Sequence, residues 1–299
     1  MTSTGATLHA FAESAEAAGR LASAAGIPCR TVAVRGFPDG ESLVRVEETT
    51  ETAIVYGSLD RPNAKLVELM LAASALRDAG ARRLILVAPY MCYMRQDIAF
   101  NAGEAVSQKV VGQFLDQMFD GIVTVDPHLH RTRNLSAVFP TAKTVSLSAT
   151  SLFADWLGET GIGEDAVLVG PDSESRQWVQ AVAQPLGLDF LIGEKSRSGD
   201  RDVEIDIPDI ERVDGRSTVI IDDVISTGGT LIRCARLLLE SGADSVDALT
   251  VHALWGGEED AAFRAAGISG LGSTDSIIHP SNAIHLAPLL ATGLGELLE

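Results

Sequence analysis

The most constraining feature of this sequence is a regular alternation between short apolar runs and longer segments with helical periodicity. Continuous runs of β-branched and leucine residues are typical of strands buried on both faces, as in parallel sheets covered by helices. The alternation therefore predicts an α/β protein built from mostly parallel sheets flanked by helices. We expect Asn63 to cap one of the helices and Gly80 to end it. The predicted strands are Ala53–Tyr56, Leu84–Val87, Ile122–Val125, Val167–Val169, Val219–Ile221 and Ala248–Val251.

Two stretches of the chain repeat the same order of elements. In each, a strand, a loop, a helix that ends in Gly-Ala and another strand follow one another, and the helix ends lie at Gly80 and Gly242. Unrelated α/β units can coincide in this way, but a separation close to half of the 299 residues favours two similar domains. A Ser/Thr-rich interruption near residues 140–148 separates them, which gives predicted domains of residues 1–145 and 146–299.

The charge balance narrows the classes of ligand. The chain has 23 Lys and Arg residues against 41 Asp and Glu residues, a formal net charge of −18. A surface this negative repels phosphate backbones and anionic membranes, so the sequence predicts no nucleic-acid binding. Lysine is rare in the chain, so a lysine placed beside a chemical motif stands out.

The cysteines and the N-terminus bear on the compartment. Cys29, Cys92 and Cys234 are far apart, odd in number and without a Cys-x-x-Cys spacing, which is typical of reduced thiols in a cytosolic protein. The first residues lack a basic region followed by an apolar one, so we expect no secretory signal. The apolar stretch from Leu84 to Met94 is too short to span a bilayer. We therefore expect a cytoplasmic protein that is not embedded in a membrane.

The strongest chemical signal follows the predicted strand Val219–Ile221. Two acids at the carboxyl end of a buried parallel strand lie where α/β proteins bind ligands, and there they suit sugar hydroxyls or a metal ion. The small-residue loop behind them offers backbone N–H groups, hydroxyls and a helix start to a phosphate. The segment predicts a site for a phosphorylated sugar; two solvated acids before an ordinary glycine turn are the plainer alternative. Its polar and glycine residues are Asp222, Asp223, Ser226, Thr227, Gly228, Gly229 and Thr230.

Other segments place polar residues in turns or after predicted strands. Pro38–Gly40 is by itself simply a good turn sequence. Arg95–Asp97 puts a cation, an amide and a carboxylate after one strand, Asp126–His128 follows the next, and Asp172 follows a third. A histidine at such a place can coordinate or hydrogen-bond Mg²⁺-bound phosphates, or it can serve the structure alone.

Together these segments resemble the ribose-phosphate diphosphokinase family over nearly the whole chain. Phe37–Glu41 matches the family's Phe-x-Asp-Gly-Glu, and Tyr90–Asp97 matches its Tyr-x-x-Tyr-x-Arg-Gln-Asp. Asp126–His128 matches its Asp-x-His, and Glu194–Arg197 contains the Lys-x-Arg of its catalytic loop. The loop Asp222–Thr230 is shared with other phosphoribosyltransferases. Family members consist of two phosphoribosyltransferase-like domains, which agrees with the repeat.

The resemblance implies that the β,γ-diphosphoryl group of ATP is transferred to the C1 hydroxyl of ribose 5-phosphate, giving phosphoribosyl diphosphate and AMP. It implies Mg²⁺ as the cofactor and a homo-oligomer whose nucleotide site is shared, with Asp39, Gly40 and Glu41 supplied by a neighbouring subunit. The residues implied in ATP binding are Phe37, Asp39, Gly40, Glu41, Arg95, Gln96, Asp97 and His128.

The remaining roles that the resemblance implies fall mainly in the second half of the chain. His128 and Asp172 would bind Mg²⁺ or waters in its shell. Lys195 and Arg197 would act on the migrating phosphates and the AMP leaving group, and the polar stretch 198–202 after them suits a flexible lid. The residues implied in ribose 5-phosphate binding are Arg197, Asp222, Asp223, Ser226, Thr227, Gly228, Gly229 and Thr230.

The sequence also departs from the family pattern. Ser173–Trp178 is charged and bulky where the family often has small residues, and Ile98–Phe100 lacks the basic residues that tend to follow Arg-Gln-Asp. These departures bear on allosteric activation by phosphate more than on the chemistry. Two alternatives stand beside the diphosphokinase: a non-catalytic regulatory homologue, and a phosphoribosyltransferase that consumes phosphoribosyl diphosphate.

Overall fold

The computed structural model describes residues 5–129, 131–162, 165–197 and 203–299. The chain divides into two compact units, the first running up to Ser148 and including His285–Glu299, the second comprising Ala149–Ile284. The expected boundary after residue 145 lies close to this division. The C-terminal residues from His285, however, were expected in the second domain and group with the first unit.

Strands and helices alternate along the chain, which confirms the α/β class. The strands are β1 (Ala6–Phe11), β2 (Cys29–Gly36), β3 (Ser42–Arg45), β4 (Thr52–Tyr56), β5 (Arg83–Val87), β6 (Gly121–Val125), β7 (Lys143–Leu147), β8 (Val167–Gly170), β9 (Asp189–Ile192), β10 (Glu194–Arg197), β11 (Val203–Asp206), β12 (Ser217–Ile225), β13 (Ser245–Ala253), β14 (Ile268–Thr274) and β15 (Asn282–Ile284). The helices are α1 (Ala15–Ala25), α2 (Pro62–Asp78), α3 (Ser107–Asp116), α4 (Thr150–Thr160), α5 (Arg176–Leu186), α6 (Gly229–Glu240), α7 (Gly257–Ala265) and α8 (Ala287–Leu298).

Each unit is built on one mostly parallel sheet. The first sheet has the order β3-β2-β1-β4-β5-β6-β7, and only β2 and β3 pair in antiparallel fashion. The second has the order β15-β14-β13-β12-β8-β9 with every described pair parallel, beside a separate antiparallel ribbon of β10 and β11. The predicted strands correspond to β4, β5, β6, β8, β12 and β13, whose central residues are buried as continuous apolar runs require.

The strand orders extend the internal repeat well beyond the four elements visible in the sequence. Taken in chain order, β1, β2, β4, β5, β6 and β7 occupy the same places in the first sheet as β8, β9, β12, β13, β14 and β15 in the second. An antiparallel insertion follows the second strand of each set, namely β3 in one unit and the β10–β11 ribbon in the other. Gly80 and Gly242 follow equivalent helices with positive φ angles of 104° and 94°, as the repeated Gly-Ala ends predict.

The helices after the last strand of each sheet depart from this simple repeat. Helix α4 follows β7 but belongs to the second unit, where it packs on α5. Helix α8 follows β15 but belongs to the first unit, where it packs on α1, β6 and β7. Helices α1 and α5 hold equivalent places in the two units. Each unit therefore receives, at the same place, the terminal helix that follows the last strand of the other unit's sheet. This exchange is why the C-terminal residues leave the expected second domain.

The N-terminus of α2 differs from the sequence prediction. The helix begins at Pro62, with Arg61 at the cap position in a left-handed conformation (φ 46°). Asn63 therefore lies inside the first turn, where its side chain accepts a hydrogen bond from the Tyr93 hydroxyl instead of capping the helix. Proline is favoured at the first helical position because it has no N–H to leave unsatisfied, so the start moves upstream of the predicted cap.

The three cysteines are free thiols. Cys92 and Cys234 are buried, and burial raises the pKa of Cys92 to about 12, which keeps that thiol protonated and unreactive. Searching the described ranges for membrane spans finds no helix with the length and apolarity needed to cross a bilayer.

Candidate active site

The acidic pair of the phosphate motif lies within β12, not after it. Pairing of β12 with β8 ends at Ile220, whereas its pairing with β13 continues to Ile225. The predicted strand Val219–Ile221 was therefore too short, and the two acids project past the end of β8. Successive strand residues face opposite sides of a sheet, and accordingly Asp222 is partly exposed while Asp223 is only 5% exposed. Asp222 is thus the more accessible carboxylate for a sugar.

The loop after β12 has the form of an anion cradle. Gly228 occupies the cap position of α6 with a φ of 68°, and its carbonyl accepts the first helical hydrogen bond from Ile232 at 2.9 Å. The first N–H groups of a helix have no partners within it, so Gly229 and Thr230 present donors at the positive end of α6. This backbone geometry supports the predicted phosphate role of Ser226 to Thr230, which stays a prediction.

A buried aromatic cluster holds Gly228 in place. A Cβ atom at position 228 would overlap the ring of Phe263, which is fully buried. That ring packs edge-on against Trp255, with centroids 5.8 Å apart, and the Trp255 indole N–H donates to Asp260 at 2.7 Å. Trp255 in turn lies 4.3 Å from the ring of His279, whose pKa is lowered by burial. Glycine at 228 is therefore required twice, by its backbone conformation and by the approach of the ring.

The equivalent loop of the first unit has lost this cradle. Arg61 also takes a left-handed conformation at the cap of α2, but Pro62 removes the first N–H donor of the helix. Lys65 is already paired, at 2.7 Å from Asp60 and 3.1 Å from Glu13. The two carboxylates oppose an incoming anion. The duplicated fold thus has a helix start with free glycine N–H donors in the second unit, and in the first a proline-started helix whose nearby lysine is paired with two carboxylates.

Asp172 forms a tight turn directly after β8. Its carboxylate Oδ1 accepts the backbone N–H groups of Glu174 and Ser175 at 3.0 and 3.2 Å. The fully buried Ser175 hydroxyl donates to the Asp172 carbonyl at 2.6 Å. The Ser173–Trp178 departure from the family pattern therefore has a structural role, because its serine closes the turn that carries Asp172.

Lys195 and Arg197 lie on a β-ribbon. Strand β10 pairs with β11 so that Lys195 is opposite Ile205 and Arg197 is opposite Val203. Positions two apart in a strand belong to the same face, so both cationic positions share one face of the ribbon. The predicted lid residues 198–202 lie outside the described part of the chain, and so do the Lys195 and Arg197 side chains.

In the first unit, the two strand-end motifs meet across neighbouring strands. Arg95–Asp97 follows β5, His128 follows β6, and these strands pair directly. The Asp97 carboxylate contacts the Arg131 guanidinium at 2.9 Å and its backbone N–H at 3.1 Å. Burial by itself would raise the pKa of Asp97, but these contacts with Arg131 hold it below the usual value. The structure thus brings Asp97 beside the segment that follows His128.

This junction opens onto a cleft that the sequence motifs did not predict. The cleft has a volume of about 680 Å³, and Asp97, Lys109, Arg131 and Arg133 contribute to its walls. Three of these four side chains are cationic, and Arg131 is paired with Asp97, so the walls of the cleft carry a local positive excess in a chain of net charge −18. The available signal was the pair of arginines shortly after the Asp-x-His motif.

Backbone strain accompanies both motifs. Among described non-glycine residues with positive φ, Tyr93 (59°) precedes Arg95 by two positions and Asp126 (37°) precedes His128 by two. Such conformations persist where the surroundings enforce them, and they concentrate at functional sites. Gln96 is also held, because its side-chain oxygen accepts a hydrogen bond from Ser107 at the start of α3.

The segment Phe37–Glu41 forms the turn between β2 and β3. Gly40 has a φ of 92°, the Phe37 N–H donates to the Glu41 carbonyl at 2.7 Å, and the Phe37 ring is 39% exposed. Strands β1 and β4 lie between β2 and β5, a separation of about 14 Å at ~4.8 Å per strand. The sheet order therefore keeps this turn apart from Arg95 and Gln96 of the same chain.

The metal prediction concerns His128 and Asp172. Within the described ranges no group of three His, Cys, Asp or Glu side chains could hold an ion by itself. Mg²⁺ commonly takes one or two protein carboxylates and completes its shell with waters and substrate phosphates. The donor chemistry of Asp172, a half-buried carboxylate at a strand end, fits an ion of that kind.

Comparisons with known proteins cover the same two units. Residues 7–118 match the model of the N-terminal domain of ribose phosphate pyrophosphokinase, and residues 147–265 match the phosphoribosyl transferase domain. The chain is 38% identical over 277 residues to ribose-phosphate pyrophosphokinase 2 of Archaeoglobus fulgidus, covering 92% of this chain and 95% of that protein. It is 35% identical over 263 residues to ribose-phosphate pyrophosphokinase of Methanopyrus kandleri, with coverages of 87% and 89%. The crystal structure of phosphoribosylpyrophosphate synthetase from Mycobacterium smegmatis has a TM-score of 0.84 at 25% identity and covers 98% of both chains. This chain belongs to the ribose-phosphate pyrophosphokinase family.

Proposed function

We propose that this protein transfers the diphosphoryl group of ATP to the C1 hydroxyl of ribose 5-phosphate, giving 5-phosphoribosyl 1-diphosphate and AMP. The observation that carries the proposal is the cradle at Gly228 beside Asp222, in a chain of the ribose-phosphate pyrophosphokinase family. The cradle suits the 5-phosphate and the carboxylate suits the ribose hydroxyls, so the sugar is held at both ends and C1 is left to react.

In the proposed reaction the C1 hydroxyl loses its proton to water as its oxygen attacks the β-phosphorus of ATP, the bond from that phosphorus to the α,β-bridging oxygen breaks, and AMP leaves with that oxygen. Transfers of this kind depend on positioned cations more than on covalent chemistry by the protein. We assign that role to Lys195 and Arg197. Mg²⁺, when bound, screens the charge of the nucleotide phosphates, and His128 and Asp172 are the residues proposed to hold it or its waters.

We propose that the nucleotide site is shared between subunits of a homo-oligomer. The support is the sheet order, which separates the exposed Phe37–Glu41 turn from Arg95 and Gln96 within one chain. Exposed apolar side chains on both faces of the same hairpin and on α2 are positions that another subunit can cover. They are Val34, Leu43, Val67 and Met70, each at least 40% exposed.

Mixing two inactive variants tests the shared site. We expect Glu41→Ala and Arg95→Ala each to lose activity alone, and to regain part of it after co-refolding, because some mixed sites then contain both native residues. Arg95→Ala mixed with Gln96→Ala is the matched control, since both residues come from the same side of the site and no intact site can form. Equal activity in the two mixtures would contradict the sharing.

One assay separates the proposed reaction from the alternatives. Purified protein is incubated with ribose 5-phosphate, Mg²⁺ and ATP, and AMP and ADP are quantified. AMP that depends on ribose 5-phosphate is the expected result. No AMP with any nucleotide would favour the regulatory homologue, and turnover only with a nucleobase and phosphoribosyl diphosphate would favour the transferase.

We propose a cytoplasmic location for this enzyme. The three free cysteines support it, because thiols stay reduced in that compartment. Fractionation of cells with detection of the native protein tests the location, and recovery outside the cytoplasm would contradict it.

A further inference from the structure

We infer that Gly193 and Ser175 are positioning residues of the diphosphoryl transfer, which hold the Asp172 turn and the base of the β10–β11 ribbon against each other. The inference rests on the proposed function, because that function gives Asp172 and Lys195 their roles. Gly193 belongs to none of the motifs, and Ser175 lies in the segment Ser173–Trp178 that departs from the family pattern.

Gly193 is the point where the ribbon meets the Asp172 turn. This glycine is the single residue between the end of β9 and the start of β10. Its N–H donates to the carbonyl of Gly170 at 2.7 Å. A Cβ atom at position 193 would lie 2.7 Å from the Pro171 carbonyl oxygen and 3.2 Å from Cγ2 of Ile205. The main chain at 193 is therefore enclosed by the turn on one side and by β11 on the other.

Ser175 fixes the turn from its other side. Its hydroxyl donates to the Asp172 carbonyl, and its backbone N–H donates to the Asp172 carboxylate. A Cβ atom at position 170 would overlap this hydroxyl and lie 2.8 Å from Cδ1 of Ile192. The absence of side chains at Gly170 and Gly193 therefore lets the turn, the serine and the ribbon base pack in direct contact.

This packing fixes the positions of Asp172 and Lys195 relative to each other. Ile205 lies opposite Lys195 in the ribbon and packs on the core of the second unit, so this contact fixes the base of the ribbon to the core. Asp172 and Lys195 are each only a few residues from the Gly193 contact. A shift at that contact therefore moves the proposed metal-binding carboxylate relative to the proposed catalytic cations.

The size of the shift follows from the contact distance. An ordinary contact between a Cβ and an oxygen begins near 3.4 Å, so Gly193→Ala must open the junction by about 0.7 Å. The opposing atom belongs to the main chain and cannot rotate away. Since misplacement by ~1 Å can lower a rate on the order of 10²-fold, we expect kcat to fall at least ~tenfold. All but one of the residues implied in ribose 5-phosphate binding lie on β12 and α6 or between them, and only Arg197 belongs to the ribbon, so the KM for that substrate should stay within about threefold.

The experiment measures kcat, both KM values and the urea unfolding midpoint for Gly193→Ala and Ser175→Ala. Gly158→Ala and Ser173→Ala are the matched controls. Gly158 lies in α4 with its nearest neighbour 3.9 Å from a Cβ, and Ser173 is exposed in the same turn as Ser175. We expect wild-type kcat for both controls, and reduced kcat with a near-native KM for ribose 5-phosphate for the two test variants.

The outcomes separate the inference from the proposed function. A wild-type protein that forms no AMP from ribose 5-phosphate and ATP overturns the proposed function, and the inference falls with it. An active wild-type protein with kcat within twofold in both test variants overturns the inference alone. A rise in the KM for ribose 5-phosphate that accounts for the whole loss also overturns it. If Gly193→Ala fails to fold, Ser175→Ala decides, because removing one hydroxyl introduces no overlap.

Discussion

Replacing Gly228 with alanine tests the phosphate cradle most directly. The new Cβ would overlap the buried Phe263 ring, and the φ of 68° disfavours any side chain. The left-handed backbone costs alanine about 1 kcal/mol and the overpacking about 1–3 kcal/mol, so the free energy of unfolding should fall by about 2–4 kcal/mol. Because the loop must move off the ring, we expect the KM for ribose 5-phosphate to rise at least ~tenfold, equivalent to about 1.4 kcal/mol of binding.

Gly187→Ala is the control that isolates the ring contact. Gly187 ends α5 in the same unit with a φ of 66°, and no atom lies within 4 Å of its ideal Cβ position. Only the backbone penalty of about 1 kcal/mol should appear, with an unchanged KM. Urea unfolding followed by circular dichroism, together with initial rates, measures both quantities for the two variants.

A second substitution at Phe263 checks the mechanism independently. Leucine lacks the outer ring atoms that the alanine Cβ would overlap, so Gly228→Ala combined with Phe263→Leu should recover part of the affinity lost in the single variant. A Gly228→Ala variant that unfolds with the same free energy as Gly187→Ala and retains the wild-type KM would show that the Phe263 ring does not hold the loop.

Three further predictions address charge. Lys195→Ala should lower kcat by about 10² or more with a modest change in the KM for ribose 5-phosphate, while the exposed Lys143→Ala stays at wild-type turnover; near-normal kcat in Lys195→Ala would remove that lysine from the mechanism. Asp222→Asn should raise the KM for ribose 5-phosphate by about 10-fold or more, as the loss of a charge-assisted hydrogen bond does, whereas the buried Asp223→Asn should chiefly lower the urea midpoint; the reverse pattern would contradict the assignment of faces. His9 is fully buried, and burial, with Arg30 adding to it, lowers its pKa to about 4 from 6.5, so the folded state favours neutral histidine. The stability contributed by the neutral histidine is complete above pH 6.5 and is lost as the pH falls towards 4. In urea unfolding, the free energy of unfolding of the wild type should therefore fall by about 2 kcal/mol more than that of His9→Gln between pH 7.5 and 5. Equal losses in the two proteins would show that His9 is not held neutral by burial.

Most of the fold class could be predicted because its signals are local. The apolar runs that became β4, β5, β6, β8, β12 and β13 are buried on both faces, so their sequences carry the full signature of parallel strands. The Gly-Ala ends of α2 and α6 revealed the repeat for the same reason, since a left-handed helix end selects glycine by its own backbone. Local signals gave wrong boundaries where neighbouring elements decide where an element begins or ends, as at the start of α2 and the end of β12.

For the site, too, the residues that are contiguous in sequence could be predicted and those that act through tertiary contacts could not. The segment Asp222–Thr230 is contiguous, so its acids, hydroxyls and glycines could be recognised together. Phe263, Arg131 and Gly193 could not be linked to the site in advance, because each acts through a contact with a residue distant in sequence or on a different element.

The sequence by itself determined the α/β class, the duplication, the negative charge and the phosphate motif, because periodicity, composition and contiguous segments are properties of the chain. Only the tertiary structure decided the exchange of α4 and α8 between the two units, the cationic cleft around Asp97 and the contact of Gly193 with the Asp172 turn. These features depend on the strand order, which brings distant segments to one edge of a sheet. They also depend on close packing, because a position where neighbouring atoms touch a glycine leaves no room for the Cβ atom of any other residue.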